Sequence, residues 1–397
     1  MNTGMRNLQA YPFEKLAELT RHSIVPDIEA IPLTIGEPQH EPPQQVLIAL
    51  TEALAGAGKY PSIAGTPPLR QAIASWLTNR FHTRAIDPDR EVLPVNGTRE
   101  GLFAIAQALT AGCDNPRIAL PNPFYQIYEG AALLAGAIPL FIAASEESGY
   151  LANYQHMSDD KWKACNLLFL CTPGNPSGRV IPMSDLQLLI EKALEHDVVL
   201  VSDECYSELY FDEEYPPTGL LEAAHAMGNT ELKQCLAFHS LSKRSNLPGL
   251  RSGFVAGDAS LIETFKRYRT YHGCAMPLHH QAASTVAWSD ETHVLNNREL
   301  YRQKFAAVLP ILSEHLDVGQ PDAGFYLWPR IHGDDQVFAR SLLEQQNVRV
   351  LPGSYLGREV DGTNPGSGHV RIALVSTLQQ TVEAAERVAL FLSRQAK

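Results

Sequence analysis

Short β-type runs that alternate with amphipathic segments are the feature that most constrains the fold of this 397-residue chain. From residue 92 onward, six apolar runs (92–95, 117–120, 167–171, 198–201, 236–239 and 253–256) are separated by segments whose apolar residues recur at helical spacing. This alternation is typical of a mostly parallel sheet with helices on both faces. The sequence therefore predicts an α/β fold, preceded by helical segments at 44–58 and 67–82.

The part of the chain after residue 299 has a different order of elements. It reads as helix, strand, helix, two strands and helix, with strands predicted at 324–328, 348–351 and 370–375. This order predicts a second, smaller α+β domain. Within it, the segment 357–368 is rich in Gly, Asn and Asp and contains Pro365, so we predict a surface loop there.

Composition excludes several classes of protein. The net charge of -12 disfavours nucleic acid as a partner. The most apolar stretch, residues 130–144, is short and is interrupted by Pro139, which disfavours a membrane span, so we expect a cytoplasmic enzyme. The six cysteines contain no CxxC pair, so we expect reduced thiols and no metal site: Cys113, Cys165, Cys171, Cys205, Cys235 and Cys274.

The segment 238–254 (FHSLSKRSNLPGLRSGF) carries the strongest chemical signal. Lys243 lies just beyond a predicted strand, where a lysine amine can form an imine with a carbonyl cofactor. Ser240, Ser242 and Arg251 could bind a phosphate group on that cofactor. These features suit pyridoxal 5'-phosphate (PLP). Taken alone, the cluster could equally be a charged surface turn.

A second segment, 200–206 (LVSDECY), places Asp203 at the carboxyl end of an apolar strand, where open α/β sheets bind ligands. A buried carboxylate at this position can pair with a protonated pyridine nitrogen. The alternative for a single aspartate at a strand end is a helix cap or a turn residue.

Two further segments follow predicted strands. The segment 172–178 (TPGNPSG) predicts a rigid loop from which Asn175 could donate to a phenolate oxygen, as could the Tyr206 hydroxyl. The segment 95–100 (VNGTRE) precedes a helix, whose N-terminal N–H groups can bind a phosphate. Each segment alone has an ordinary structural explanation, as a loop with satisfied polar groups or a common turn.

Together, the order and spacing of these four segments resemble the fold type I, class I/II aminotransferases over nearly the whole chain. The resemblance implies a mostly parallel seven-stranded sheet in a large PLP-binding domain at 46–285, with a small domain formed by 1–45 and 286–397. It implies that Lys243 binds PLP and shuttles protons, that Asp203 faces the pyridine nitrogen, and that Tyr125 stacks on the ring. It assigns the phenolate oxygen to Asn175 and Tyr206, and the phosphate to Thr98, Arg99, Ser240, Ser242 and Arg251.

The same resemblance implies a substrate site and a dimer. Arg371, in the segment 369–373 (HVRIA), stands where the family binds the substrate α-carboxylate, which a guanidinium fits in bidentate fashion. A lone arginine in a strand could instead be an edge-strand charge. Gly36 resembles the glycine that closes over this carboxylate, and Asn175 would also contact substrate. Tyr60 resembles the tyrosine that reaches the partner subunit's phosphate, which implies a homodimer.

A finer resemblance is to bacterial N-succinyldiaminopimelate aminotransferases. It depends on five segments: 11–15 (YPFEK), 121–130 (PNPFYQIYEG), 203–208 (DECYSE), 242–246 (SKRSN) and 268–273 (YRTYHG). It implies a ping-pong reaction in lysine and diaminopimelate biosynthesis with glutamate as amino donor. A second cation should then bind the distal carboxylate, and Arg267 and Arg269 are candidates, although both could be solvated charges of a basic helix.

Other functions remain open at this point. The same residues would serve an aminotransferase for acetylornithine, LL-diaminopimelate or aspartate, or a PLP lyase, because activating the cofactor does not decide which Cα bond breaks. A non-catalytic ligand sensor of aminotransferase-like fold would need an additional DNA-binding domain, for which we expect no room in this chain.

Overall fold

The computed structural model describes residues 2–395, so Met1, Ala396 and Lys397 of the predicted small domain lie outside the described residues. The α-helices are α1 (Pro12–Leu19), α2 (Gln44–Glu52), α3 (Pro67–Arg80), α4 (Thr98–Thr110), α5 (Ile127–Leu134), α6 (Asp159–Ala164), α7 (Met183–His196), α8 (Leu220–Ala226), α9 (Leu241–Arg244), α10 (Ala259–His272), α11 (Leu278–Ser289), α12 (Thr292–Leu312), α13 (Asp335–Gln346) and α14 (Leu378–Gln395). Short 3₁₀ helices lie at Thr3–Arg6, Leu54–Gly58, Glu146–Ser148, Tyr154–His156, Pro248–Leu250 and Gly353–Tyr355.

The strands are β1 (Ile31–Pro32), β2 (Val92–Val95), β3 (Arg117–Asn122), β4 (Ile138–Ala143), β5 (Leu167–Cys171), β6 (Val199–Asp203), β7 (Cys235–Ser240), β8 (Gly253–Gly257), β9 (Tyr326–Leu327), β10 (Val348–Arg349), β11 (Leu351–Pro352) and β12 (Val370–Ala373). Seven of them form one sheet in the order β2-β8-β7-β6-β5-β3-β4. Strand β8 alone runs opposite to the other six strands of that sheet. This confirms the predicted mostly parallel seven-stranded sheet.

Strand β4 is the one strand of this sheet that the pattern of apolar runs did not predict. It forms the edge of the sheet and pairs in parallel with β3, with Pro139 opposite Ile118. A proline cannot donate to a ladder of hydrogen bonds, and it is therefore tolerated at an edge, where one side of the strand has no partner.

Alternate residues of the central strands enter two different hydrophobic cores. Leu168 and Leu170 of β5 pack into one core, which also contains residues of α3, α7, α8 and α11. Leu167 and Phe169 pack into the other core, together with residues of α4, α5 and α10. The period of two along the strand therefore buries both faces of the sheet, which confirms the prediction of helices on both sides.

The remaining strands form two small sheets beside the large one. Strands β11, β12 and β9 pair antiparallel, and β1 pairs in parallel with β10, so the N-terminal segment packs with the C-terminal part of the chain. A third core covers these strands with apolar residues of α12, α13 and α14. We propose that residues 46–285 form the large domain and that 1–45 and 286–397 form the small domain, since the large sheet lies wholly within 46–285.

The prediction of a surface loop at 357–368 is wrong for the first part of this segment. Arg358 is 9% exposed and donates from Nε to a carboxylate oxygen of Glu129 at 2.7 Å. The Asn122 side chain also bonds the Arg358 main chain in both directions. The start of the segment is therefore fixed by an ion pair with α5 and by hydrogen bonds with the last residue of β3, and only the later residues are exposed.

Two smaller points concern the whole chain. All six cysteines are free thiols, as the sequence predicts. Within residues 2–395, no helix combines the length and the apolar character that a membrane span requires.

Candidate active site

Parallel strands of the large sheet end at one cavity of about 470 Å³. Cys171, Asp203 and Ser240 are the last residues of β5, β6 and β7, and all three line it. This is the edge at which open α/β sheets bind ligands, because the carboxyl ends of the strands meet there. The small sheets contribute Tyr326, Leu351 and Arg371 to the opposite wall.

All but one of the predicted site residues line this cavity. They are Gly36, Thr98, Arg99, Tyr125, Asn175, Asp203, Tyr206, Ser240, Ser242, Lys243, Arg251 and Arg371. The exception is Tyr60, which is fully exposed. The fold thus brings together side chains that are separated by more than three hundred positions in the sequence.

Lys243 lies on α9, a single helical turn that follows β7 directly. Its Nζ donates to the carbonyl oxygen of Gly36 and lies 5.4 Å from the centroid of the Phe325 ring. Burial lowers the pKa of the Lys243 amine to about 8, and the positive charge of Arg371 acts in the same direction. A substantial fraction of the amine is therefore neutral, and hence nucleophilic, near neutral pH.

This geometry predicts the titration of Lys243 in PLP-free protein. The rate at which Lys243 reacts with a small acylating reagent should rise with pH and reach half its maximum near the pKa of about 8. Competitive labelling across pH, followed by peptide mass spectrometry, measures this midpoint. A midpoint near about 10.4, the value of an ordinary exposed lysine, would contradict the buried position.

Asp203 is buried at the end of β6 and has two hydrogen-bond donors. The Tyr128 hydroxyl donates to Oδ2 at 2.6 Å, and the Cys205 backbone N–H donates to Oδ1 at 3.4 Å. Burial nevertheless raises the pKa of this carboxyl, because desolvation outweighs the hydrogen bonds. A buried carboxylate with few charges nearby is stabilised by a cation brought to it, and a protonated pyridine is such a cation.

Several hydrogen-bond donors that could bind a phosphate lie near the start of α4. Gly97 has φ +81°, and a Cβ there would collide with the Arg251 guanidinium, so the close approach requires glycine. Arg251 itself has φ +50° and donates from Nη1 to the Pro248 carbonyl at 2.7 Å. The Thr98, Ser240 and Ser242 hydroxyls line the same cavity.

The residues of this cavity therefore fit PLP. The lysine suits its aldehyde, the buried carboxylate suits its ring nitrogen, and the hydroxyls, the guanidinium and the helix N-terminus suit its phosphate. The glycine at position 97 lets the Arg251 guanidinium lie against the start of α4, beside this helix N-terminus.

Arg371, on β12, is 5% exposed and is held in place from three directions. It donates from Nη2 to the Thr34 carbonyl at 2.8 Å and from Nη1 to Asn175 Oδ1 at 2.9 Å, and its guanidinium lies 4.4 Å from the centroid of the Tyr326 ring. Its Nε is buried and has no hydrogen-bond partner among residues 2–395. A buried guanidinium in this state has capacity for an anionic ligand.

Two tyrosines complete the inner wall. The Tyr206 hydroxyl lies 3.2 Å from the Tyr326 hydroxyl, and burial raises the pKa of Tyr206 well above its ordinary value. The Tyr125 hydroxyl accepts a hydrogen bond from Arg99 Nε at 2.8 Å. Burial also raises the pKa of Tyr125, and this effect outweighs the charge of Arg99. Both phenols are therefore neutral at physiological pH and can donate a proton in a hydrogen bond.

Sequence reasoning missed several residues of the site. Tyr128, which bonds Asp203, lies in the segment 121–130, and its helical spacing of three from Tyr125 was a usable signal. Tyr326 supports both Arg371 and Tyr206, yet its strand has only two residues. Tyr11 and Phe13 at the start of α1 also line the cavity.

Arg269 is no longer a candidate for binding a distal carboxylate. Its side chain is fully buried, and Nη1 donates to Glu100 at 2.6 Å while Nη2 donates to the Cys274 carbonyl at 2.6 Å. Arg267 is exposed on α10 and stays a candidate. Neither arginine is among the residues of this chain that line the cavity.

Comparisons with known proteins identify the family of this chain. A family model described as aminotransferase class I and II matches residues 28–388. An LL-diaminopimelate aminotransferase of Desulforudis audaxviator is 30% identical, with 98% of this chain and 97% of that protein aligned.

Solved structures show the same fold. An aminotransferase from Neisseria meningitidis superposes with a TM-score of 0.95 at 46% identity, covering 99% of this chain and 100% of the other. A probable N-succinyldiaminopimelate aminotransferase from Thermus thermophilus superposes with a TM-score of 0.84 at 27% identity, covering 96% and 100%. The predicted fold type I architecture and PLP as cofactor are thereby confirmed. The chain belongs to the class I and II aminotransferases, which depend on PLP and exchange amino groups between amino acids and 2-oxo acids.

Proposed function

We propose that this aminotransferase uses glutamate to form N-succinyl-LL-2,6-diaminopimelate from N-succinyl-2-amino-6-oxopimelate, releasing 2-oxoglutarate, in lysine and diaminopimelate biosynthesis in the cytoplasm. The observation that carries the proposal is the charge of the cavity wall. Arg99, Arg251 and Arg371 line the cavity together with Lys243, against the carboxylates of Glu37 and Asp203. Such a wall favours an anionic cofactor together with a substrate that carries carboxylates.

The residues act on the substrate as follows. PLP, when bound, provides the electron sink that accepts the electron pair of the broken Cα–H bond. Arg371 binds the α-carboxylate in bidentate fashion and so orients the Cα–H bond. The Lys243 Nζ would take up the Cα proton as general base and would then give it, as general acid, to the carbon of the cofactor's aldehyde group; the lowered pKa of Lys243 permits both roles near neutral pH.

Other groups hold the cofactor in place. Asp203 would hold the ring nitrogen, Asn175 and Tyr206 would donate to the phenolate oxygen, and Tyr125 would contact the ring. Thr98, Arg99, Ser240, Ser242 and Arg251 would bind the phosphate together with the N–H groups at the N-terminus of α4. Gly36 must stay small, because a Cβ there would collide with the Tyr326 hydroxyl.

LL-diaminopimelate is the second candidate substrate. Two relatives named LL-diaminopimelate aminotransferase are 29% and 30% identical to this chain over nearly its whole length. That substrate carries an ammonium group at its distal end, where the succinylated substrate carries an uncharged amide and a further carboxylate. Glu37 lines the cavity and could bind such an ammonium.

The experiment that separates the candidates measures single-turnover half-reactions of the PLP-loaded enzyme. The amino donors are N-succinyl-LL-diaminopimelate, LL-diaminopimelate, acetylornithine, aspartate and glutamate, and the readout is the change in cofactor absorbance. The proposal expects the highest kcat/KM with N-succinyl-LL-diaminopimelate and a competent reaction with glutamate. A higher kcat/KM with LL-diaminopimelate would replace the proposed substrate by the second candidate.

The role of Arg371 gives a further prediction. Because both substrates share an α-carboxylate, Arg371→Ala should lower kcat/KM for glutamate and for the succinylated substrate alike. The decrease should correspond to a loss of about 2 to 5 kcal/mol of transition-state binding free energy. Arg371→Lys should keep only part of the wild-type kcat/KM, since an ammonium cannot bind a carboxylate in the bidentate fashion of a guanidinium. As the matched comparison, Arg267→Ala should affect only substrates with a distal carboxylate and leave alanine as donor unchanged. An unchanged kcat/KM for glutamate in Arg371→Ala would remove the carboxylate assignment.

Tyr60 suggests how two subunits complete the site. Its side chain projects fully into solvent in the single chain. We assign it to the phosphate of the partner subunit in a homodimer. Tyr60→Phe should weaken retention of PLP several-fold, as measured by dialysis against buffer, because one hydrogen bond to the phosphate is lost. Equal retention in the variant and the wild type would contradict this assignment.

A further inference from the structure

The Asn297 side chain contacts the main chain of the lysine turn. Asn297 lies on α12 and is 2% exposed, and its Nδ2 donates to the Lys243 carbonyl at 3.1 Å and to the Arg244 carbonyl at 3.2 Å. The four residues of α9 form one isolated turn, and the last carbonyls of a helix have no partner within it. Asn297 therefore supplies the donors that two of these carbonyls need.

The oxygen of the same amide is also fully used. Asn297 Oδ1 accepts from Asn246 Nδ2 at 2.8 Å and lies 2.8 Å from His40 Nδ1. An asparagine side chain has two donor hydrogens and two acceptor lone pairs, and all four are engaged here. Aspartate has the same shape but no donor hydrogen, so it would place a carboxylate against two carbonyl oxygens.

His40 connects this amide to the segment that carries Gly36. Lys304 Nζ lies 2.7 Å from His40 Nε2 and, as an ammonium, can only donate, so His40 Nδ1 carries the hydrogen that Asn297 accepts. The His40 ring packs on Tyr301 with 4.5 Å between ring centroids. Asn297, Tyr301 and Lys304 recur at helical spacing on one face of α12.

The lysine is thus fixed at both of its ends. Its carbonyl is bonded by Asn297, and its amine donates to the Gly36 carbonyl, four residues before His40. The two contacts belong to one connected network, since His40 bonds Asn297. A shift of the His40 segment would therefore move both the amine's partner and the support of the main chain.

We infer that Asn297 is a positioning residue for Lys243, and that His40 ties its amide to the Gly36 segment so that the lysine turn and the substrate-binding segment keep one relative placement. This inference rests on the proposed role of Lys243 in binding PLP. It assigns no contact between Asn297 and substrate or cofactor; the residue acts through the lysine backbone.

The test compares Asn297→Asp with Asn296→Asp, which adds the same charge at the exposed neighbouring position of α12. PLP-free protein is mixed with PLP, and absorbance follows the covalent capture, in which Nζ bonds the aldehyde carbon and one water is released. Capture by Asn297→Asp should be roughly 10- to 100-fold slower, the usual cost of misplacing a reacting group by about an ångström. Asn296→Asp should match the wild type.

A general structural role predicts something different, and the Lys243→Ala background distinguishes the two. There, PLP binds without a covalent link, and adding Asn297→Asp should leave its dissociation constant unchanged, because none of the residues that Asn297 bonds is assigned to noncovalent binding of PLP. A larger dissociation constant for PLP in this background would overturn the inference, since the substitution would then disturb the whole cavity.

A second variant keeps the test decisive if Asn297→Asp does not fold. His40→Phe retains an aromatic ring against Tyr301 but removes the donor to Asn297, and we expect several-fold slower capture. Wild-type capture by His40→Phe, or by folded Asn297→Asp, would overturn the inference. If instead Lys243→Ala still formed a reducible link with PLP, the proposed role of Lys243 would fail, which is a separate and recognisable outcome.

Discussion

Replacing Lys243 by alanine is expected to remove the borohydride-reducible link between the protein and PLP and to lower turnover with glutamate by about 10⁴-fold or more. The amine is both the group that bonds the cofactor aldehyde and the base nearest the reacting carbon in the proposed arrangement. Noncovalent binding of PLP should persist, because the phosphate donors and Asp203 are untouched. The link is measured by reduction followed by mass spectrometry, and turnover by release of 2-oxoglutarate.

A matched control is available on the surface of the same chain. Lys233 is well exposed, and Lys233→Ala should retain both the link and the turnover. A covalent PLP adduct that survived in Lys243→Ala would place the essential lysine elsewhere. The hydrogen bond from Lys243 to Gly36 would then be only a structural contact.

The second large effect is expected at Asp203. Asp203→Asn keeps the shape of the side chain but removes its charge, so the half-reaction with glutamate should slow by roughly 10²- to 10³-fold, as for the loss of other pre-organised electrostatic contacts. Asp203→Ala should be at least as slow, while Asp203→Glu should keep part of the rate because the charge remains. Stopped-flow absorbance of the cofactor measures the step directly.

The position of Asp203 explains why the effect should be large. The carboxylate is buried, and Tyr128 is its only side-chain hydrogen-bond donor of oxygen or nitrogen type within residues 2–395. The exposed Asp160 gives the matched control, and Asp160→Asn should react at the wild-type rate. A near-normal half-reaction in Asp203→Asn would contradict the assigned pairing with the ring nitrogen.

Local patterns predicted the parts of the fold that depend on local order. The six apolar runs each became a strand of the large sheet, because a short apolar run is a property of a few adjacent residues. Asp203 and Ser240 could be placed at the site for the same reason, since each ends a recognisable strand. Parallel pairing then brought those ends together.

Contacts between distant segments could not be predicted in this way. Thr34 and Arg371 are bonded across 337 positions, and Asn122 and Arg358 across 236. No local periodicity records such a pairing, because it depends on how segments far apart in the sequence pack together. Asn297 is a similar case: it is one polar residue in a helix, and only the packing of α12 on the lysine turn shows what its amide bonds.

The same limit explains the error at Arg269. A basic segment at 266–269 favours a solvated helix face, yet Arg269 points inward and pairs with Glu100 of α4. A buried arginine with a carboxylate partner is indistinguishable in sequence from an exposed one. Its neighbour Arg267, two residues earlier, is exposed.

The most direct test of the account is the stoichiometry of a single half-reaction with glutamate in the absence of any 2-oxo acid. Transamination through this site predicts one 2-oxoglutarate per subunit, conversion of the cofactor to its amino form, and no release of ammonia or carbon dioxide. Conversion should then stop, because the amino group stays on the cofactor. Continued formation of ammonia or carbon dioxide beyond one equivalent per subunit would contradict the account and indicate a lyase or decarboxylase.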